Sequence, residues 1–230
     1  MKDLIICFRL IKYGLQFKLM CILGGAFFGL GILFETKGVG TTNLGGLYMS
    51  LAGLYIFQLA FTPSIAKLVQ TSPYKKKIQT SGTAILSTIC CLFTFTVLVV
   101  IRVLRAKSSD FAEEGIDITS HYAALIYSAL VVAVLLVYIS FSFKMYLTSL
   151  IICITLVLVF MFIGFNEEKS PFIKITELLM KDGDSPLMVI LVSYGIIIAG
   201  GILCYFTSCL LYKHELSSLA VKNAMRQSLK

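Results

Sequence analysis

The run YAALIYSALVVAVLLVYISFSFKMYLTSLIICITLVLVFMFIGF, Tyr122–Phe165, decides the fold. It is 44 residues long, and its single charge is Lys144. Built as one helix it would reach about 66 Å, roughly twice the hydrocarbon thickness of a bilayer. The chain therefore has to turn near Ser140–Tyr146. The run reads as two antiparallel spans, Tyr122–Phe143 and Met145–Phe165, although no Gly or Pro marks the turn.

Four more stretches approach the roughly 20 apolar residues that a spanning helix needs. They are Leu19–Phe34, which Tyr13–Phe17 can lengthen, Leu44–Thr62, Gly82–Ile101 and Leu187–Tyr212. Of the 230 residues 58% are hydrophobic and only 14% are charged, against about 25% charged in a soluble domain. Such a chain needs the bilayer as its solvent. The expected fold is an all-α integral membrane protein with six transmembrane helices and cytoplasmic N- and C-termini. The longest polar connections, Arg102–Ser120 and Asn166–Pro186, are too short for a second domain, so residues 1–230 form one membrane unit. The N-terminus lacks a clean apolar run and small-residue cleavage site, which argues against a removable signal peptide.

Basic residues set the orientation. With both termini inside, 13 of the 20 Lys and Arg residues lie on the cytoplasmic side and seven outside. Ten of the 12 acids fall outside, leaving about +11 on the inner face and −3 on the outer. An inner face of that sign suits anionic lipid headgroups, and the net charge of +8 needs no nucleic acid to explain it. Arg102 and Arg105 run against the pattern and are expected to snorkel to the outer interface. With no Trp in the chain, Tyr13, Tyr122, Tyr146 and Tyr212 are expected to supply the interfacial belt. Helix starts are expected at Asn43, at Thr80 or Ser81, at Ser120, and at Ser185-Pro186.

Three connecting segments carry further pattern. In residues 1–18, Lys2, Arg9, Lys12 and Gln16 share one helical face, and Leu4, Ile5, Phe8, Ile11 and Leu15 the other. This is a basic amphipathic helix for the inner headgroup layer, or else an extension of the first span. In residues 63–79, PSIAKLVQTSPYKKKIQ, two prolines bracket a short helical segment with Ile65, Leu68 and Val69 on it, followed by Tyr74 and three lysines. It reads as a docking element or as a basic loop that only fixes topology. In residues 166–186, Ser170-Pro171 opens a short extracellular helix whose expected apolar face is Phe172, Ile175, Leu178 and Leu179. Small residues recur at Gly25/Gly29, Gly46/Ser50 and Gly195/Ala199, a spacing for close helix packing within the chain or between copies.

The chemistry-bearing patterns are missing. The span interiors hold no ionisable residue of the kind that ion relays use. There is no phosphate-binding loop, and no Gly-x-Ser-x-Gly or His-Glu-x-x-His. Glu113-Glu114 and Glu167-Glu168 sit in polar loops, and His121 and His214 fall at opposite faces. The seven cysteines lie in or near apolar segments without a Cys-x-x-Cys pair, so no disulfide framework or zinc site is indicated. No catalytic, cofactor-binding or metal-ligating residue is expected.

An inner interfacial helix, a cytoplasmic helix between spans two and three, a tight inner turn between spans four and five, and an outer helix between spans five and six together resemble the permease subunits of ABC-2 type (type V exporter) ABC transporters. The resemblance implies a plasma membrane protein, of the bacterial inner membrane type, that is not itself an enzyme. It implies an ABC ATPase subunit that binds ATP and Mg, and a second permease chain, identical or related. It also implies that SIAKLVQTSPYKKK is a coupling loop, with Ser64, Ile65, Lys67, Leu68, Val69, Tyr74, Lys75, Lys76 and Lys77 facing the ATPase. Two other readings stay open. One is a substrate-binding module like those of energy-coupling-factor importers, and the other a non-transporting membrane partner or immunity protein.

Overall fold

The computed structural model describes residues 17–36, 44–65, 67–108, 117–165, 170–180, 186–213, 216–217 and 221–222. The amphipathic pattern in residues 1–16, Asn43, and Gly183 to Ser185 lie outside them. All regular elements among the described residues are helical: α1 Phe17–Thr36, α2 Leu44–Ile65, α3 Lys67–Gln70, α4 Lys75–Lys77, α5 Thr83–Ala106, α6 Ile118–Ser142, α7 Tyr146–Phe165, α8 Pro171–Met180 and α9 Leu187–Leu211. A π-helical turn, Ile78–Gly82, joins α4 to α5 without a break, so Lys75–Ala106 is one helical rod of 32 residues.

Five of these helical stretches are long and apolar enough to cross a membrane: Phe17–Thr36, Lys75–Ala106, Ile118–Ser142, Tyr146–Ile163 and Leu187–Leu211. The 22-residue α2 packs beside them. This is a multi-pass membrane protein. Its surface agrees, because Phe162 is 82% exposed, Leu210 72% and Ile22 68%, amid many other outward Leu, Ile and Val side chains. Water would not tolerate that much contiguous apolar surface on one chain.

The centre is α6. It packs against α2, α5, α7, α8 and α9, and most of its side chains from His121 to Ser142 are buried. A helix apolar on every side is surrounded by protein or by lipid, and α6 is surrounded by protein. Several polar side chains in the spans satisfy themselves locally. The hydroxyls of Ser50, Thr88, Ser128 and Ser193 each donate to the carbonyl four residues back, at 2.7–2.8 Å. In lipid, where no water replaces a lost partner, that arrangement avoids a cost of several kcal/mol per group.

Several local expectations are corrected. The third span begins not at Gly82 but at Lys75, and Thr80 and Ser81 cap nothing. They sit in the π turn and donate back to the carbonyls of Lys76 and Lys77. The cap of α6 is Asp117, whose carboxylate accepts from the backbone N–H groups of Thr119 and Ser120, while the Ser120 hydroxyl donates to the Asp117 carbonyl. The turn between α6 and α7 is Phe143–Met145, with the N–H groups of Lys144 and Met145 donating to the Phe141 carbonyl. On α8 the buried residues are Phe172 and Thr176, while Ile175 and Leu178 point outward, 45% and 74% exposed. Phe172 meets Tyr127 of α6 edge to face, which turns the helix away from its apparent apolar stripe. Tyr122 is buried beside His121 rather than standing in an interfacial belt.

Close helix contacts fall on glycines. A Cβ on Gly46 would lie 2.1 Å from the Ser128 hydroxyl of α6, and one on Gly200 would lie 2.9 Å from the Ala133 Cα. One on Gly201 would lie 2.6 Å from the Thr88 hydroxyl, and one on Gly31 2.6 Å from Met49 Cγ. By contrast, a Cβ on Gly25, Gly29 or Gly195 meets nothing within 4 Å. Ser50, paired with Gly46 by spacing, is buried, and Ala199 is exposed. We expect Gly46→Ala and Gly200→Ala each to lower stability by about 1–3 kcal/mol, the cost of overpacking a close contact. Thermal unfolding in detergent should show Gly25→Ala and Gly195→Ala unchanged or slightly raised. Equal losses at all four positions would contradict this map of the packing seams.

Candidate functional site

The two ends of the bundle differ in chemistry. At one end α1 closes on Glu35, α5 brings Arg102 and Arg105, and α6 starts with His121. Arg102 does not snorkel. It turns inward, 5% exposed, and its Nη2 donates to Glu35 Oε1 at 2.8 Å, with Glu35 itself only 3% exposed. Arg102 Nη1 donates to the His121 carbonyl, and His121 Nε2–H donates to the Arg102 carbonyl at 3.1 Å. Arg105 Nη1 donates to the Glu35 carbonyl at 2.9 Å, placing a cation at the negative end of the α1 dipole. Gly45 of α2 makes the room: a Cβ there would lie 2.5 Å from Glu35 Cγ and Oε1. The sequence pattern missed this cluster because Glu35 and Arg102 each fall one residue beyond an apolar run, where a charge reads as interfacial.

At the other end lies the sequence-predicted loop. α2 runs on through Ser64 and Ile65, and Lys67–Gln70 forms one helical turn. Val69 packs inward, 9% exposed, while Tyr74 stands out at 49%. The Ser72 hydroxyl accepts from Tyr74 N–H at 3.2 Å, and the Ser72 carbonyl from Lys75 N–H. Lys75, Lys76 and Lys77 form the first turn of the rod that continues into α5. The lysine end of the loop, Lys75–Lys77, is thus part of a single long helix rather than hung from it.

The same end gathers the α6–α7 turn and the end of α9. The ammonium groups of Lys76 and Lys144 lie over the ring of Tyr212, at 5.9 and 5.6 Å from its centroid, within cation–π range. Burial, and then the charge of Lys75, pull the Lys144 ammonium below the usual lysine pKa. Beneath these cations Gln79, Ser140 and Ser208 line a narrow crevice. The Ser217 N–H donates to the Phe143 carbonyl, so the C-terminal segment returns to this turn.

Between the ends runs a groove. α7 and α9 both pack on α6, and the gap between them holds about 690 Å³. Its floor is Leu130, Ala133, Val134, Val137, Tyr138 and Phe141 of α6. One wall is Met145, Thr148, Ser149, Ile152, Cys153 and Leu156, the other Ile196, Ala199, Gly200 and Leu203. Ile152 and Leu203 are about half exposed, so the groove is open along its outer side. Among the described residues no group of His, Cys, Asp or Glu is arranged to hold a metal ion.

Compared with known proteins, the chain matches no family model, no curated protein and no solved structure.

Removing one partner of a buried ion pair leaves an uncompensated charge and costs about 3–5 kcal/mol. We therefore expect Glu35→Ala to lower the detergent melting temperature sharply, and Glu35→Met with Arg102→Met to recover much of the loss. A double variant as unstable as the single one would show that the Arg102–His121 carbonyl contact, not the ion pair, holds this end.

Proposed function

We propose that this chain is the membrane-spanning permease subunit of an ATP-driven exporter, working with a separate ABC ATPase and a second permease chain. In this reading α2 counts as the sixth span, both termini are cytoplasmic, α8 is extracellular, and the membrane is the cell membrane. The observation that carries the proposal is the continuity of the Lys75–Lys77 turn with α5. A push on Tyr74–Lys77 travels along a 32-residue rod, about 48 Å at 1.5 Å per residue. Near its far end that rod holds Arg102, bonded to α1 and α6. Such a lever needs an outside source of work, which an ATPase supplies.

The outward-facing Tyr74 and the lysines beside it are the surface for that subunit, and the lysines suit an acidic cleft. Val69, buried in its own chain, belongs to the base of the lever rather than to the contact. An importer-type binding module is less well supported, because its ligand needs converging polar groups and the hydroxyls of Thr88, Ser128 and Ser193 are spent on their own backbone. A partner or immunity protein would have no use for the lever.

The test is purification of the tagged chain from its own membranes with identification of what accompanies it. We expect an ATPase of separate sequence in the complex. Tyr74→Asp should weaken its retention about tenfold, the scale for removing an aromatic anchor from an interface, with unchanged membrane insertion and melting temperature. Recovery of the chain without any ATPase overturns the proposal.

A further inference from the structure

We propose that the α6–α7–α9 groove is a binding site for one anionic phospholipid, with an acyl chain in the groove and the phosphate at Lys76 and Lys144. Three observations converge on that occupant. The first is length. On α6 the groove runs from Leu130 to Phe141, about 16 Å of helix, or roughly half of a 30 Å hydrocarbon core. It therefore serves one leaflet, from the midplane to the loop end, and stops there. A partner helix crossing the bilayer would need a seam twice as long.

The second is polarity. The midplane half is lined by Leu130, Ala133, Val134 and Leu156, whereas Tyr138, Thr148 and Ser149 sit toward the loop end. The gradient matches an amphiphile whose head lies at the α6–α7 turn. The third is charge. Lys144 lies in the Phe143–Met145 turn, one residue before Met145 of the groove wall, and it shares the Tyr212 ring with Lys76. Lys75 lies beside Lys144 and adds to the local positive charge. Three lysines also open the Lys75–Ala106 rod, at the positive end of its dipole, where cations are disfavoured and an anion is favoured. The volume, about 690 Å³, lies within the roughly 300–1,000 Å³ of ligand pockets. The inference shares Lys76 with the surface assigned to the ATPase but is tested on the chain alone.

The experiment places the purified full chain in phosphatidylcholine vesicles doped with spin-labelled phosphatidylglycerol or spin-labelled phosphatidylcholine. The fraction of motionally restricted label is then measured. We expect a restricted phosphatidylglycerol component stronger than that of phosphatidylcholine. Lys144→Gln and Lys76→Gln should each lower that preference by about fivefold. Ala199→Trp, which fills the groove from an exposed position on one wall, should abolish the phosphatidylglycerol preference and leave the boundary component that both lipids share. Ile152→Trp repeats this from the opposite wall if the first variant does not fold. Equal restriction of the two lipids in the unaltered chain overturns the proposal, as does a preference unchanged by filling the groove. So does displacement of the label by inorganic phosphate alone, which would make the corner a free-phosphate site. Copies that cross-link through Ile152, and separate when Ala199 becomes Trp, would assign the groove to a second copy and also overturn it.

Discussion

Glu35 is the acid on which one end of the molecule is organised. Its side chain receives Arg102 from α5, its carbonyl receives Arg105, and Gly45 of α2 gives its carboxylate room. Arg102 then reaches the His121 carbonyl at the start of α6. Four helices therefore meet at one carboxylate. A charge pair in a nearly water-free setting is costly to bury and more costly to break. Such a pair fixes the relative depth of the helices it joins, because sliding any one of them by a turn would strand a charge.

Between its ends the bundle has no such fixed points, and close approach does the work instead. Gly46 against Ser128, Gly200 against Ala133 and Gly201 against Thr88 draw α2, α9 and α5 together where dispersion is the main attraction left. α7 takes little part in this. It touches α6 along one side and leaves most of its side chains to lipid. The open groove beside it follows from that loose seating.

Much of the architecture was legible in the sequence because the bilayer imposes length and apolarity together. The turn inside Tyr122–Phe165 had to fall near Lys144, and it does. The α8 helix starts at Pro171 as its proline indicates. What was not legible depends on neighbours. Small-residue spacing selected Gly46, which meets Ser128, together with Gly25, Gly29 and Gly195, which meet nothing within the chain, while Gly31 and Gly45 act because of what stands opposite them. The apolar stripe of α8 was legible, but not that Phe172 alone of it turns onto Tyr127 while Ile175 and Leu178 stand outward. Glu35 and Arg102 read as interfacial because each ends an apolar run, and only the pairing of α1 with α5 turns them inward. At the other end, the loop was visible as a basic, proline-bracketed segment. Its fusion into α5 was hidden because Thr80, Ser81 and Gly82 resemble a helix boundary and instead form the π turn.

That π turn sets an angle. One added residue in a helix rotates everything before it by about 100° relative to everything after. The wide turn at Ile78–Gly82 therefore determines which way Lys75, Lys76 and Lys77 point, independently of the face that α5 buries from Thr83 onward. Shortened by one residue to an ordinary α-turn, the same sequence would keep its core and swing the lysine turn off Tyr212. The side of the bundle that carries the charge is thus chosen by a local backbone irregularity of five residues, four of which are themselves buried.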